Sequence, residues 1–364
     1  MLRRSVASRL PDFPWDSLNE AKRRAAAHPG GIVDLSVGTP VDPVAINIQA
    51  ALSSVADVPG YPVTHGTPEL RAAAVAAMAR RFGVTGISPN AVLPVIGTKE
   101  LIASITRDLG FGSADLVVFP ELAYPTYEIS ALLAGSKMQR SDTIVGGATP
   151  SLVFLNSPSN PTGRVIGVEE LRDLVAVARS AGAIVVSDEC YLGLGWDAQP
   201  VSVLDERVCG GDFTGLIAVH SLSKTSNLAS YRTGFITGDH NLVAELLEVR
   251  RHAGLMMPYP IQAAMIEALT DDSHENAQRE IYRSRRAVLQ AGLRGAEFHI
   301  EHSEAGLYIW ATRGESCWDT VNWFADRGIL VAPGEFYGPQ GAKFVRCALT
   351  ATDERITAAV TRIV

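Results

Sequence analysis

Several apolar runs of this chain end in residues that can do chemistry. VLPVI (92–96) is followed by Gly97-Thr98-Lys99, and LVVFP (116–120) leads to Tyr124. LVFLN (152–156) runs into SPSNPTG, which holds Asn160, and AIVVSDE (183–189) carries Asp188 with Tyr191 just beyond it. LIAVHS (216–221) ends at Ser221, then come Ser223 and Lys224, with Arg232 eight residues after the lysine. Each has an ordinary structural explanation when taken alone. A loop lysine is usually solvated, Asn160-Pro161-Thr162-Gly163 makes a good turn, Asp188 could cap a helix, and Tyr124 could simply pack.

Together the groups suit one kind of ligand. A lysine amine condenses with an aldehyde once it loses its proton, and desolvation or neighbouring cations lower its pKa. Helix N-terminal amides, serines and an arginine fork favour a phosphate dianion. A carboxylate keeps a ring nitrogen protonated, an amide and a phenol donate to a ring hydroxyl, and an aromatic covers one face. That set matches the needs of pyridoxal 5'-phosphate.

The elements that must hold these groups alternate. The strand-like runs, with GFITG (234–238), are mostly apolar on both faces, as in a sheet covered on both sides. Thr67-Pro68-Glu69 reads as N-cap, N1 proline and first-turn acid of a helix running to about Phe82. KELIASITRDLG and VEELRDLVAVARSAG are further helices, the second stopping at Gly182. Strand–helix alternation predicts a mainly parallel α/β sheet with helices on both faces, and ligands of such sheets bind at the strands' carboxyl ends. After about residue 255 the pattern changes. Helical segments 241–254 and 261–295 precede a mixed tail with LYIWAT and FVRCAL as strands, and WDTVNWFADRG and TDERITAAVTRI as helices. The expected organisation is a segment 1–41 too irregular for its own core, a large domain 42–282, and a smaller α+β domain 283–364.

Composition sets limits. The chain has 364 residues, 47% of them hydrophobic, and a net charge of −7 with 32 basic residues scattered along it. A clustered basic face for nucleic acid is therefore not expected. The start, MLRRSVASRLPDFPWD, has no apolar run of a secretory signal, and no stretch approaches a membrane span. Cys190, Cys209, Cys317 and Cys347 lie far apart without a CxxC pair, which fits reduced thiols and a cytoplasmic location. No metal is expected. His299 and His302 stand beside Glu301 and Glu304, but residues three apart on a strand face opposite sides. Gly110-Phe111-Gly112 lacks the third glycine of a dinucleotide loop, and Cys190 reads as a small packed residue.

SNPTG, SDECY, SLSK and the arginine at 232, in that order, resemble the class I aminotransferases of pyridoxal-phosphate fold type I, over nearly the whole chain. The resemblance implies a seven-stranded, mainly parallel sheet in a large cofactor-binding domain, a smaller second domain, and a homodimer. It makes Lys224 the lysine that carries the cofactor and Asp188 the partner of its ring nitrogen. Asn160 and Tyr191 match the donors to the ring hydroxyl, and Tyr124 the stacking aromatic. Phosphate falls to the backbone of Thr98 and Lys99, to Ser221, Ser223 and Arg232, and to Tyr61 of GYPVTHGTPELR reaching from the neighbouring subunit. Arg346 in FVRCALT would bind the substrate α-carboxylate, with Gly38 of VGTPVD and Asn160. FPWD, DLSVGTPVDPV, VLPVIGTKELI, SDECYLGLGWD and HSEAGLYIWAT further resemble actinobacterial succinyldiaminopimelate aminotransferases. That likeness implies amino transfer from glutamate to N-succinyl-2-amino-6-ketopimelate in lysine and diaminopimelate biosynthesis. A transaminase of another amino acid, a β-lyase or a decarboxylase would use the same cofactor. Regulators with an aminotransferase-like domain add a helix-turn-helix segment, which this sequence does not display.

Overall fold

A computed structural model describes residues 5–144 and 149–364, so that Met1–Arg4, part of the opening segment, lie outside it. Its strands in chain order are β1 (Val33–Asp34), β2 (Val92–Ile96), β3 (Leu116–Phe119), β4 (Lys137–Arg140), β5 (Leu152–Asn156), β6 (Ile184–Asp188) and β7 (Leu216–Ser221). They continue with β8 (Thr233–Gly238), β9 (His299–Glu301), β10 (Tyr308–Thr312), β11 (Ile329–Leu330), β12 (Ala332–Pro333) and β13 (Val345–Ala348).

The main sheet has seven strands in the order β2-β8-β7-β6-β5-β3-β4. Only β8 is antiparallel to its neighbours. Side chains of a strand alternate between faces, and the core divides accordingly. Val153, Leu155, Val185 and Ala218 join Leu70, Met78, Leu171 and Met265 in one buried cluster. Leu152, Phe154, Val186 and Ile217 join Leu101, Ile105, Tyr127 and Leu246 in another. Helices thus cover both faces, and the strands read as apolar throughout. Because β2, β3, β5, β6 and β7 run the same way, their polar followers gather at one edge, where the returning β8 also starts, just after Arg232.

The helix at 68–82 forms as its capping residues require. Thr67 Oγ1 accepts from the Leu70 N–H at 3.2 Å, Pro68 occupies the first turn, and Gly83 ends it with φ 69°. Segment 261–295 is two helices, Tyr259–Thr270 and Ser273–Gly295, rather than one. Asp271 marks the break, since its Oδ1 accepts from the Ser273 N–H at 2.9 Å in an Asx turn that precedes the new start. Edge strand β4 was not expected. Its sequence, KMQR, is polar, as suits a sheet edge facing solvent.

The N-terminal region carries a helix, Asn19–Ala26, and pairs β1 in parallel with β11. Leu18, Ala21, Ala25, Val33 and Leu35 share one buried cluster with Leu293, Val321, Phe324, Ile329 and Ile356. A four-stranded antiparallel sheet, β12-β13-β10-β9, completes that unit and carries Arg346 on β13. Among the described residues no helix is long and apolar enough to cross a membrane.

Candidate active site

A cavity of about 620 Å³ opens at the strand ends of the main sheet. Thr98, Lys99, Tyr124, Asn160, Asp188, Tyr191, Ser221, Ser223, Lys224, Arg232, Arg346 and Gly38 all line it. Tyr61 does not; it stands 97% exposed on the surface.

Asp188 ends β6 at the cavity floor and is buried. The Tyr127 hydroxyl donates to its Oδ2 at 2.8 Å, and the Cys190 N–H donates to Oδ1 at 3.2 Å. Burial pushes the Asp188 carboxyl above the ordinary carboxylate value, while the bonds from Cys190 and Tyr127 pull it back. Asn156 fixes this corner. Its Nδ2 donates to the Asp188 carbonyl at 2.9 Å, and its Oδ1 accepts from the Asn160 N–H at 2.7 Å. One amide thereby locks the SNPTG loop to the end of β6.

Lys224 follows β7. Desolvation holds its ammonium below the ordinary lysine value, and the charges of Arg346 and Arg232 act in the same direction. Its Nζ donates to the Gly38 carbonyl. Tyr191 and Tyr308 place their hydroxyl oxygens 3.1 Å apart, and burial raises the Tyr191 phenol well above its usual range. Tyr124 is pushed up to about 12, again by burial.

The N-terminus of the Thr98–Asp108 helix points its unpaired amides at the cavity edge. Gly97, just before it, has φ 87°, and a side chain there would meet the Arg232 guanidinium head on. Arg232 itself sits at φ 59° and donates from Nη1 to the Ala229 carbonyl at 2.8 Å. A glycine is what lets this guanidinium lie across the helix start. Ser221 Oγ accepts from the Ser223 N–H at 3.1 Å, so its own proton stays available to a ligand.

Arg346 is only 2% exposed. Nη1 donates to Asn160 Oδ1 and Nη2 to the Ser36 carbonyl, each at 2.7 Å, while Nε has no partner. The guanidinium lies 3.8 Å from the Tyr308 ring centroid and 4.9 Å from that of Tyr337. No carboxylate pairs with it among the described residues. A buried cation facing a cavity without its anion is a costly arrangement that an anionic ligand relieves.

Reading strand ends alone missed four residues here: Tyr127, Asn156, Tyr308 and Ser36. Tyr127 follows Tyr124 by three residues, in the first turn of the Thr126–Ala134 helix, and the two rings meet edge to face at 6.0 Å. Tyr308 sits on β10 opposite Ala348, two pairs along from Trp310 and Arg346 and so on the same face of the sheet. Phe13 and Trp15 also reach the cavity from the N-terminal region.

The profile of the family described as "Aminotransferase class I and II" matches residues 31–363. A protein of Mycobacterium tuberculosis called "Probable aminotransferase Rv1178" is 62% identical over 99% of this chain and 87% of its own length. The "4-dedimethylamino-4-oxo-anhydrotetracycline transaminase OxyQ" of Streptomyces rimosus is 56% identical over 97% of this chain and 99% of its own. A solved structure described as a probable N-succinyldiaminopimelate aminotransferase of Thermus thermophilus superposes with a TM-score of 0.88 at 27% identity. The match covers 96% of this chain and 99% of that one. The chain belongs to the class I and II aminotransferases, a family dependent on pyridoxal phosphate, and has their fold type I architecture.

The residues present fit that cofactor. A buried carboxylate, a lysine with a lowered pKa, a guanidinium seated in a glycine cradle at a helix N-terminus and hydroxyl donors all face one cavity.

Proposed function

We propose that this aminotransferase moves the amino group of glutamate to an oxo acid, with Lys224, Asp188 and Tyr191 as its catalytic residues. The observation that carries the reading is Arg346, buried without an anion in the same cavity as Lys224. Pyridoxal phosphate, when bound, supplies the aldehyde and the electron-withdrawing ring that make an amino acid's Cα–H acidic. Asp188 would pair with the ring nitrogen, and Tyr124 would lie against the ring. Asn160 spends its Oδ1 on Arg346, which leaves Nδ2 free to donate to the ring hydroxyl beside the Tyr191 phenol. The amides of Thr98 and Lys99, with Ser221, Ser223 and Arg232, would hold the phosphate.

Arg346 grips the substrate α-carboxylate through its fork, near Gly38 and Asn160, and so orients Cα–H toward Lys224. Desolvation keeps the Lys224 amine available as a base, and Nζ takes the Cα proton in one half-reaction and returns one in the other.

The acceptor we favour is N-succinyl-2-amino-6-ketopimelate, giving N-succinyl-diaminopimelate and 2-oxoglutarate in lysine and diaminopimelate biosynthesis. Whole-phrase likeness and the Thermus structure's description support it. Lys22 and Lys99 line the cavity and could meet a distal carboxylate. A second reading, a fused-ring ketone, has its own support. Phe13 is 55% exposed at the cavity, 5.7 Å from Trp15, and the two rings offer a stacking wall. A relative described by such a substrate is 56% identical. The test is an acceptor panel with glutamate, reading 2-oxoglutarate. Preference for the succinylated acceptor supports the first reading, and preference for the fused-ring ketone overturns it. Amino acid breakdown without consumption of an oxo acid would mark a lyase or decarboxylase.

The protein acts as a homodimer in this proposal, with Tyr61 completing the phosphate site of the partner. Ile46, Val58, Tyr61 and Val63 are exposed along one stretch of chain, the kind of apolar surface that a partner covers. Four free cysteines suit a cytoplasmic setting. A division at 41/42 and 282/283 is part of the same proposal, supported by the shared N- and C-terminal core.

A further inference from the structure

The stretch Ser36–Pro43 joins β1 to the Ile46–Ser53 helix, and its Ser36, Val37 and Gly38 line the cavity. The Ser36 carbonyl accepts from Arg346 Nη2, the Val37 carbonyl from Thr350 Oγ1 at 3.1 Å, and the Gly38 carbonyl from Lys224 Nζ. Both cations assigned to the substrate and cofactor therefore rest on carbonyls of one short strap. Its far end is tied by Asp42. Arg285 Nη1 and Nη2 each donate to that carboxylate at 2.7 Å, a two-point fork, and Gln278 Nε2 donates at 2.9 Å. Arg285 is 5% exposed, and its Nε reaches Asp353, whose side chain is 74% exposed.

Gln278 and Arg285 lie seven residues apart on the Ser273–Gly295 helix, so they share a face. Tyr282 lies between them and donates from its hydroxyl to the Lys224 carbonyl at 3.3 Å. Asn227, at φ 57°, closes the circuit by donating to Gln278 Oε1 at 2.8 Å and to the Pro43 carbonyl at 3.3 Å. One helical stripe thus holds the strap with its two outer side chains and the lysine loop with its middle one. Pro40 restricts φ between Gly38 and Asp42, so the position of Asp42 is passed along a stiffened path.

We propose that Asp42 is a positioning residue, clamped by Arg285 and Gln278, that sets where the Ser36 and Gly38 carbonyls hold Arg346 and Lys224. The fork is rigid because a guanidinium and a carboxylate match at two points, and little of it is exposed to compete with water. The inference rests on the cavity-facing roles given above to Lys224 and Arg346, but on no particular acceptor.

The variants Asp42→Asn, Asp42→Glu and Asp353→Asn separate positioning from general stabilisation. Amide hydrogen exchange of residues 36–39 in the cofactor-free protein reads the strap directly and needs no substrate. Asp42→Asn should speed that exchange about tenfold and raise KM for glutamate about tenfold, with a smaller loss in kcat. Asp42→Glu should recover part of both, and Asp353→Asn should leave both within about a factor of two. If Asp42→Asn does not fold, Gln278→Met removes one of the three bonds and should move both readings the same way to a lesser extent. Unchanged exchange at 36–39 in the Asp42 or Gln278 variant would overturn the proposal. So would a KM change that Asp353→Asn matches, since that would make the network a strut. Faster exchange with unaltered KM would show a strap that does not position the site, and would overturn it equally.

Discussion

Gly97→Ala is the smallest change that tests the phosphate end of the site. Gly97 has φ 87° and ψ 138°, a region that is essentially glycine's own, and an alanine held there costs about 1–3 kcal/mol of strain. The added Cβ would also fall on the Arg232 guanidinium, which must then leave the helix start. Arg232 is held there by the bond from its Nη1 to the Ala229 carbonyl, so turning the guanidinium aside costs that bond. Losing one charge-assisted hydrogen bond to the phosphate removes about 1.5–3 kcal/mol of binding. At about 1.4 kcal/mol per tenfold, Kd for pyridoxal phosphate should rise by about 10- to 150-fold. Titration of the cofactor-free variant by absorbance or quenching of protein fluorescence measures this. A melting temperature on the same sample reports the strain separately. Cofactor affinity within about threefold of the parent, with the protein folded, would refute the argument that the glycine exists to seat Arg232.

Borohydride reduction of the cofactor-loaded protein, followed by peptide mapping, should label Lys224, and Lys224→Ala should fold without being labelled; label on another lysine would displace the assignment. Tyr127→Phe removes a donor that favours the Asp188 carboxylate, so the Asp188 pKa should rise further and the acid limb of the pH–rate profile should move to higher pH. Activity then fails earlier as pH falls, and an unmoved limb would make Tyr127 a packing residue. Mixing inactive Tyr61→Ala and Lys224→Ala subunits should restore activity through hybrid dimers with one intact site. No recovery after subunit exchange would argue for a site built within one chain.

What the sequence made legible follows from the sheet. A fully covered parallel strand is apolar throughout, so β2, β3, β5, β6 and β7 stood out, and the residue type after each strand marked the ligand edge. Lys224, Asp188 and Asn160 could be placed at one cavity because their positions are set by those short strands. The polar edge strand β4 and the short β1 and β11 had no such contrast. Their formation depends on a neighbour already in place, Leu116–Phe119 for one and each other for the remaining two. The break at Asp271 was hidden for a different reason. Two aspartates inside a long helical pattern resemble surface charges until Asp271 is seen to make an Asx turn with the Ser273 N–H.

The supporting side chains were harder to read than the cavity-facing ones, because their partners come from distant parts of the chain. Asn156 looks like the last residue of an apolar strand, yet it bonds both Asp188 and Asn160. Asp42 pairs with a residue 243 positions away, and nothing near it in sequence announces an ion pair. Arg346 shows the same limit from the other side. The resemblance around FVRCALT implied a carboxylate partner for Arg346, but only the fold shows that no carboxylate of the described residues pairs with it. Its two Nη groups are instead occupied by neutral oxygens of Asn160 and Ser36, and Nε is left without an acceptor. A neutral carbonyl does not balance a buried charge, so the site retains an electrostatic demand that a substrate carboxylate can meet. In the proposed function that demand is the source of affinity for the substrate carboxylate, set by burying a cation that no carboxylate of the described residues pairs with.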